Sequence, residues 1–424
     1  MDYLLFTIFI LIAAYYFYYF IAGKFSKSPL WLMLSAWALA LGIPQLKLSD
    51  LEKPWSQQFW LLIVISLISF TLGFFVFSWL WKRFPFWTKF KVLTRTEIST
   101  IALRVVIYVS VLVSALALYL FYKKAGNFPL LASDTDVFRF QADEQVPGLI
   151  NYLAQLARIY IPLGFFLMFW QGFKLKKHWD LVLLSLFGTF CLTLFASRTQ
   201  IFFIDLWVMA MYLFIRKPNL KQALKFYPFF LIVSVLVLAA VPLFRQAKSY
   251  GSSSYLANVT AIKVSGQNPA SNFFVPIYVG VSFNMQALLH AQQYYEVYPL
   301  QHGKVFLAPF TNILGLHQFA PNYDLGEIFY SWWNTGTYLF PFVQDFGNAA
   351  FYFVPFLIAG LLTLAWRYWK NSPNFLSINL YAYACFFIVM TIYLSFTVRA
   401  EMYIDLFLIF VIYLAVSKKV LAKN

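Results

Sequence analysis

Residues 59–97 read FWLLIVISLISFTLGFFVFSWLW and then KRFPFWTKFKVLTRTE, an uncharged run followed by a connection carrying Lys82, Arg83, Lys89, Lys91 and Arg95. A helix that crosses a bilayer needs roughly 17–25 mostly apolar residues, so the first part is long enough to span. The second part is short, because the chain turns apolar again at 98–122 (ISTIALRVVIYVSVLVSALALYLFY). Apolar run, basic connection, apolar run is the signature of a multispan membrane protein.

The pattern extends in both directions. Eleven stretches qualify as spans: 2–22, 30–46, 59–81, 98–122, 151–171, 180–196, 199–215, 226–244, 346–366, 375–396 and 402–417. The first has no basic segment before it and no small-residue cleavage site after it, so it reads as an ordinary first span. Composition agrees: 62% of the 424 residues are hydrophobic and only 11% charged, with a mean hydropathy of +0.70. Soluble domains carry about 25% charged residues. The chain therefore reads as an all-α polytopic protein, residues 1–424 forming one integral membrane domain with the bilayer as its solvent.

A net charge of +16 could suggest a nucleic-acid partner, but the Lys and Arg sit in short connections between apolar runs, and no such partner is expected. Cys191 and Cys385 both lie inside apolar runs, which excludes a disulfide framework and a cysteine zinc site. If the spans alternate, six basic segments fall on one side: 24–27, 82–97, 172–179, 216–225, 367–370 and the tail from 418. They hold 19 of the 32 basic residues with only two acids, Glu97 and Asp180. The positive-inside rule makes that side cytoplasmic, with the N-terminus outside and the C-terminus inside.

The opposite side carries the mixed-charge loop 123–150 and the long polar stretch 245–345, expected to be one extracytoplasmic loop. Within it, 273–291 (FFVPIYVGVSFNMQALLHA) is apolar yet holds Asn284 and Gln286, and reads as a re-entrant or membrane-parallel helix. A pair of spans, with 305–320 as the second, would preserve parity and raise the count to thirteen. Irregular backbone at membrane depth survives where it lines a cavity, so an outward-facing cavity is expected. No Walker loop, no GxGxxG and no carboxylate cluster at ligand spacing occurs, so neither cofactor nor metal is expected, and the energy for any reaction would come from an activated substrate.

Arginine on the outer side runs against the charge rule, and at membrane depth it costs about 3 kcal/mol or more. Arg198 lies in FASRTQIFF at the tip of a tight hairpin, and Arg245 in VPLFRQAKSYGSSS where a span reaches the outer surface. Arg139 (DVFRFQADE), Arg158 and Arg399 (SFTVRAEMY) complete the set. Guanidinium groups grip phosphate oxygens in a fork and stay charged. The alternative is that each snorkels to lipid phosphate or pairs locally, Arg399 with Glu401 and Arg198 with Asp205. Asp345, Asp324, Glu327, His302 and His317 are the candidate acid–base or sugar-binding groups, and the aromatics of 323–342 could stack on sugar rings or form a membrane belt.

The chain also resembles the O-antigen polymerases, the oligosaccharide repeat-unit polymerases of the Wzy type. NTGTYLFPFVQDFGNAAFYFVPFLIAGLL (334–362), LTLFASRTQIFF (192–203), Arg245 followed by YPLQHGKVFLAPF (298–310), and ASDTDVFRFQ (132–141) are similar to blocks of that family in the same order. The resemblance implies a GT-C-like, inverting, metal-independent glycosyltransferase of the bacterial cytoplasmic membrane. Its substrate would be undecaprenyl-pyrophosphate-linked oligosaccharide, and its partner a chain-length regulator. Arg198 and Arg245 would hold the pyrophosphate with Asp345 as base, and Arg139, Arg399, Glu327 and His302 would bind substrate. O-antigen ligases, with two arginines and a histidine in the long loop, are a second resemblance. A flippase for lipid-linked saccharides is the rival outside enzymology.

Overall fold

Small polar residues mark where the helices begin. The Ser56 hydroxyl accepts the Phe59 amide at 3.1 Å and the Ser99 hydroxyl that of Ala102 at 3.2 Å. Asn219 with Gln222, and Asn374 with Ser377, each close a reciprocal capping box. Each such cap contributes about 1 kcal/mol by satisfying an amide the helix cannot.

The computed structural model describes residues 3–22, 25–84, 96–172, 174–196, 198–252, 255–263, 269–294, 297–314, 316, 321, 325–331, 333 and 335–419. The helices in chain order are α1 (Tyr3–Ala22), α2 (Pro29–Gly42), α3 (Gln57–Arg83), α4 (Thr100–Ala125), α5 (Thr135–Gln145) and α6 (Gly148–Ala154). Then come α7 (Ala157–Gln171), α8 (Leu175–Leu194), α9 (Arg198–Arg216), α10 (Leu220–Tyr250), α11 (Tyr255–Val259) and α12 (Pro269–Tyr294). The last are α13 (Lys304–Ile313), α14 (Leu325–Ile328), α15 (Phe340–Phe346), α16 (Ala350–Asn371), α17 (Phe375–Met390) and α18 (Ala400–Val416). One pair of three-residue strands, β1 (Thr96–Ile98) and β2 (Ser417–Lys419), runs antiparallel with Glu97 opposite Lys418.

Eight segments among the described residues are long and apolar enough to cross a membrane, which makes this an all-α polytopic membrane protein. Seven coincide with expected spans; the eighth, Phe273–Gln293, is the segment read as re-entrant or membrane-parallel, and it lies within one 26-residue helix. The expected spans 180–196, 226–244, 375–396 and 402–417 correspond to α8, α10, α17 and α18. Helix α8 is kinked at His178 (φ −127°, ψ 20°), and α17 and α18 have 16 and 17 residues. Helix α17 stops at Met390, short of the expected 396. There Thr391 leaves the helix: its hydroxyl accepts the Trp37 indole N–H at 3.0 Å and its carbonyl the Tyr338 amide at 2.8 Å. The described residues of 245–345 are themselves largely helical.

The chain divides into two compact units, one of residues 1–94 and 278–406, the other of 95–277 and 407–424. In the first, α3 packs along α16 at very close range. A Cβ on Gly73 would lie 2.5 Å from the Phe356 carbonyl oxygen, so only glycine lets the two backbones meet here. Such close approach is how helices associate where lipid leaves no hydrophobic driving force between them. Helix α12 lends this unit a polar face: Tyr278 and Ser282 both donate to the Glu52 carboxylate, Tyr278 at 2.6 Å. The Gln286 amide brackets the Lys53 backbone at 3.0 and 3.1 Å. In the second unit α4 packs on α6 and α7, α7 on α8 and α9, and α10 on α9, α5 and α11.

Candidate functional site

Within the second unit, three segments meet at Leu130. Helix α4 ends where Gly126 turns left-handed (φ 76°), and the Asn127 side chain accepts the Phe128 amide at 2.8 Å. That turn drops the Phe128 ring flat onto Phe121, 5.7 Å between centroids and 4° between planes, and edge-on to Phe195. Beneath them Ala117, Leu118, Ala142, Val146, Ala154 and Cys191 form a buried cluster. The platform fixes Leu130, whose amide donates to the Leu194 carbonyl at 2.9 Å and whose carbonyl accepts the Lys248 ammonium at 2.6 Å.

Leu194 is the last residue of α8, four before Arg198 opens α9. Lys248 lies one turn beyond Arg245 near the end of α10, and residues three apart share a helix face. The Arg245 side chain is half-buried. Arg139, also half-buried, rides on α5, which packs on α10 and is started by the Asp134 carboxylate accepting the Val137 amide at 3.1 Å. The structure thus brings together the segments bearing Arg139, Arg198 and Arg245. The Arg198 side chain lies outside the described residues.

The electrostatics of this arrangement suit an anion. The first turn of a helix offers amides without intrahelical partners and the positive end of the helix dipole, and α9 begins here. Cations are favoured at the opposite pole, where α10 carries Arg245 and Lys248. Asp205, the expected local partner of Arg198, is buried and accepts the Ser234 hydroxyl of α10 at 3.2 Å. Arg158 is buried with its guanidinium 4.3 Å over the Tyr152 ring.

The other expected site residues belong to the first unit. Asp345 is fully buried, and its carboxylate oxygens accept the amides of Val305 at 3.1 Å and Phe306 at 2.8 Å. Those amides form the first turn of α13, so the contacts of Asp345 are those of a helix cap. His302 is exposed on the turn leading into α13, in a left-handed conformation (φ 51°), and its amide donates to the Asp345 carbonyl at 3.2 Å. Glu327 is exposed in the short α14, its carbonyl accepting the Tyr298 hydroxyl at 2.9 Å. Arg399 is exposed just before α18 and makes no ion pair with Glu401 among the described residues. Trp333, expected to be available for stacking, is buried and donates to Asn284 at 3.2 Å. His317 and Asp324 lie outside the described residues.

Lys248 is absent from the sequence expectations, although its spacing from Arg245 was there to be seen. Leu130 acts through its backbone and leaves no side-chain signal. Among the described residues no three His, Cys, Asp or Glu side chains gather as a metal site. Compared with known proteins, the chain matches no family model, no curated sequence and no solved structure.

Proposed function

We propose that this protein is a polymerase of lipid-linked oligosaccharides, working at the outer face of the bacterial cytoplasmic membrane with its N-terminus outside and C-terminus inside. The observation that carries the reading is the junction at Leu130, which ties the end of α8, four residues before Arg198, and the end of α10 to one turn. The segments before Arg198 and around Arg245 and Lys248 thereby meet, with the Arg139 helix packed on α10, on the side that the charge rule assigns to the exterior. The resemblance of 192–203 and 334–362 to repeat-unit polymerases supports the same reading.

The growing glycan leaves one undecaprenyl pyrophosphate and passes to a hydroxyl at the non-reducing end of an incoming lipid-linked unit, and the hydroxyl proton goes to a carboxylate or histidine of the 245–345 stretch. Bond cleavage delivers negative charge to the departing pyrophosphate. Arg198, Arg245 and Lys248, with Arg139 assisting, offset that charge as it forms, and donors aimed at developing charge are worth more than donors that serve only the ground state. The polyprenyl tails stay in the bilayer and the sugars outside, in a GT-C-like arrangement of helices. A chain-length regulator is the protein partner such a polymerase would take.

The test is the polysaccharide length ladder in a deletion strain complemented with Arg198→Ala or Arg245→Ala, read beside membrane protein level. Loss of one charge-stabilising donor costs about 10²–10³ in rate, so long polymer disappears at normal protein level. Lysine at either position, which snorkels and keeps the charge but lacks the planar fork, restores only part of the ladder. Normal ladders in both alanine variants would overturn the reading. Transfer of whole glycans without lengthening would point to a ligase, and precursors trapped facing inward to a flippase.

A further inference from the structure

Helices α3 and α16 lie parallel and in one register. The Ser69 hydroxyl donates to the Tyr352 carbonyl, Gly73 meets Phe356 and the Phe77 ring lies against Gly360, pairs each 283 residues apart. Residues at i, i+4 and i+7 share a helix face. On α3 one such face carries Val76, Leu80 and Arg83; on α16, at the matching height, one carries Gly360, Leu364 and Arg367. The two faces flank one groove. Val76 is 39% exposed, and Leu80 and Leu364 are half-buried, so the groove opens to the bilayer. At 1.5 Å per residue it runs apolar for about 10 Å and then ends in two arginines.

Arg367 is held in place by its neighbours. Its guanidinium lies 4.6 Å over the ring of Trp366, which is fully buried and packs on Phe74 at 5.6 Å. Its Nε is buried without a hydrogen-bond partner among the described residues. Arg83 is exposed in the last turn of α3. Neither arginine makes an ion pair among the described residues. The sequence offers none close by: 23–28, 82–94 and 367–374, the segments of this unit that the charge rule makes cytoplasmic, contain no Asp or Glu. Two guanidinium groups at headgroup depth thus call for an anion from outside the chain, and phosphate oxygens suit the guanidinium fork. We infer that the α3–α16 groove seats an anionic phospholipid of the cytoplasmic leaflet, with an acyl chain along Val76, Leu80 and Leu364 and its phosphate between Arg83 and Arg367. A soluble phosphate would meet the arginines without the groove, and a choline headgroup would bring a cation against them. The inference stands apart from the proposed function.

The experiment titrates the purified full-length protein in neutral detergent with phosphatidylglycerol, phosphatidylcholine and glycerol 3-phosphate, and counts bound ligand by native mass spectrometry. Wild type should bind phosphatidylglycerol about tenfold more tightly than phosphatidylcholine and should not retain glycerol 3-phosphate. Arg83→Gln and Arg367→Gln should each lose about tenfold in affinity for phosphatidylglycerol, and Arg367→Lys, which keeps the charge without the fork, should lose less. Lys82→Gln removes the same charge one residue from Arg83 but on a face turned away from the groove, and should bind as wild type does. Equal losses in Lys82→Gln and Arg83→Gln would reduce the effect to surface charge and overturn the site. Equal affinity for phosphatidylcholine or for glycerol 3-phosphate would overturn it as well. Arg83 is exposed and stands outside the packed core, so its replacement leaves folding intact; unchanged binding in Arg83→Gln would end the proposal.

Discussion

The Asp345 carboxylate accepts the Phe306 amide at 2.8 Å, joining the segment before α16 to the first turn of a helix 39 residues earlier. Removing the carboxylate leaves two half-buried amides of α13 without this partner, a loss of about 1 kcal/mol or more. Asp345→Ala should therefore lower the melting temperature of the purified protein, and Asp345→Asn, which can still accept one amide, should lower it less. Polymer formed per folded molecule should fall by far less than 100-fold in Asp345→Asn. A loss larger than that at unchanged stability would make Asp345 the proton acceptor that the sequence suggested.

Lys248→Met removes the ammonium from the Leu130 carbonyl and keeps the length of the side chain. Long polymer should decline while short chains persist, because the turn at Leu130 loosens and one positive charge is gone. Lys248→Arg should recover more than Lys248→Met. Ladder lengths in the two strains, with membrane levels matched, decide the matter; equal ladders would remove Lys248 from the site.

The glycines of the α3–α16 contact should respond unequally to one methyl group. Gly73→Ala places a Cβ 2.5 Å from the Phe356 carbonyl oxygen, which is backbone and cannot step aside. Gly360→Ala meets the rim of the Phe77 ring at 2.6 Å, which can rotate. Overpacking of this kind costs about 1–3 kcal/mol. Melting in detergent should show Gly73→Ala the more damaged, and Gly360→Ala restored by Phe77→Leu.

Charge placement predicts the sidedness. Reporter fusions at residues 90 and 220 should read cytoplasmic, and at 140 and 260 extracytoplasmic. A cytoplasmic reading at 260 would put Arg245 and the turn after it on the wrong side for a lipid-linked saccharide facing outward.

The arginines and Lys248 can supply the positive charge that other transferases take from a divalent cation. Purified protein should accordingly lengthen lipid-linked units in excess chelator. A strict requirement for added Mg²⁺ or Mn²⁺ would remove the charge-stabilising role assigned to these residues.

Helix placement was legible because a bilayer forces backbone groups to pair within the segment, so a long apolar run such as 59–81 has one stable outcome. The end of α17 was not legible. Met390 is followed by TIYLSF, uncharged and still able to continue a span, and the break at Thr391 is set by Trp37 and Tyr338, distant in sequence. Arg139, Arg198 and Arg245 stood out because charge near a membrane boundary needs a reason. Leu130, which joins Leu194 to Lys248, looks like any apolar loop residue, since its amide and carbonyl do the joining. The amides of α13 on Asp345 were not legible either, because Val305 and Phe306 offer them from the backbone some forty residues earlier.

The polar face of α12 bears on how the protein is made. Tyr278, Ser282 and Gln286 find their partners in Glu52 and the Lys53 backbone, which left the ribosome more than two hundred residues earlier. Asn284 waits for partners still to be synthesised: the Trp333 indole at 3.2 Å, the Thr335 hydroxyl at 3.0 Å and the Tyr393 carbonyl at 2.8 Å. During translation, three of these four side chains of α12 therefore have their partners early, and Asn284 gains its long-range ones only later. A nascent chain stopped near residue 330 would carry a helix whose central asparagine has only the Gly280 carbonyl of its own helix as partner, a natural substrate for membrane quality control. Completion of the C-terminal quarter then becomes the checkpoint that turns an early hairpin into a lasting resident of the bilayer.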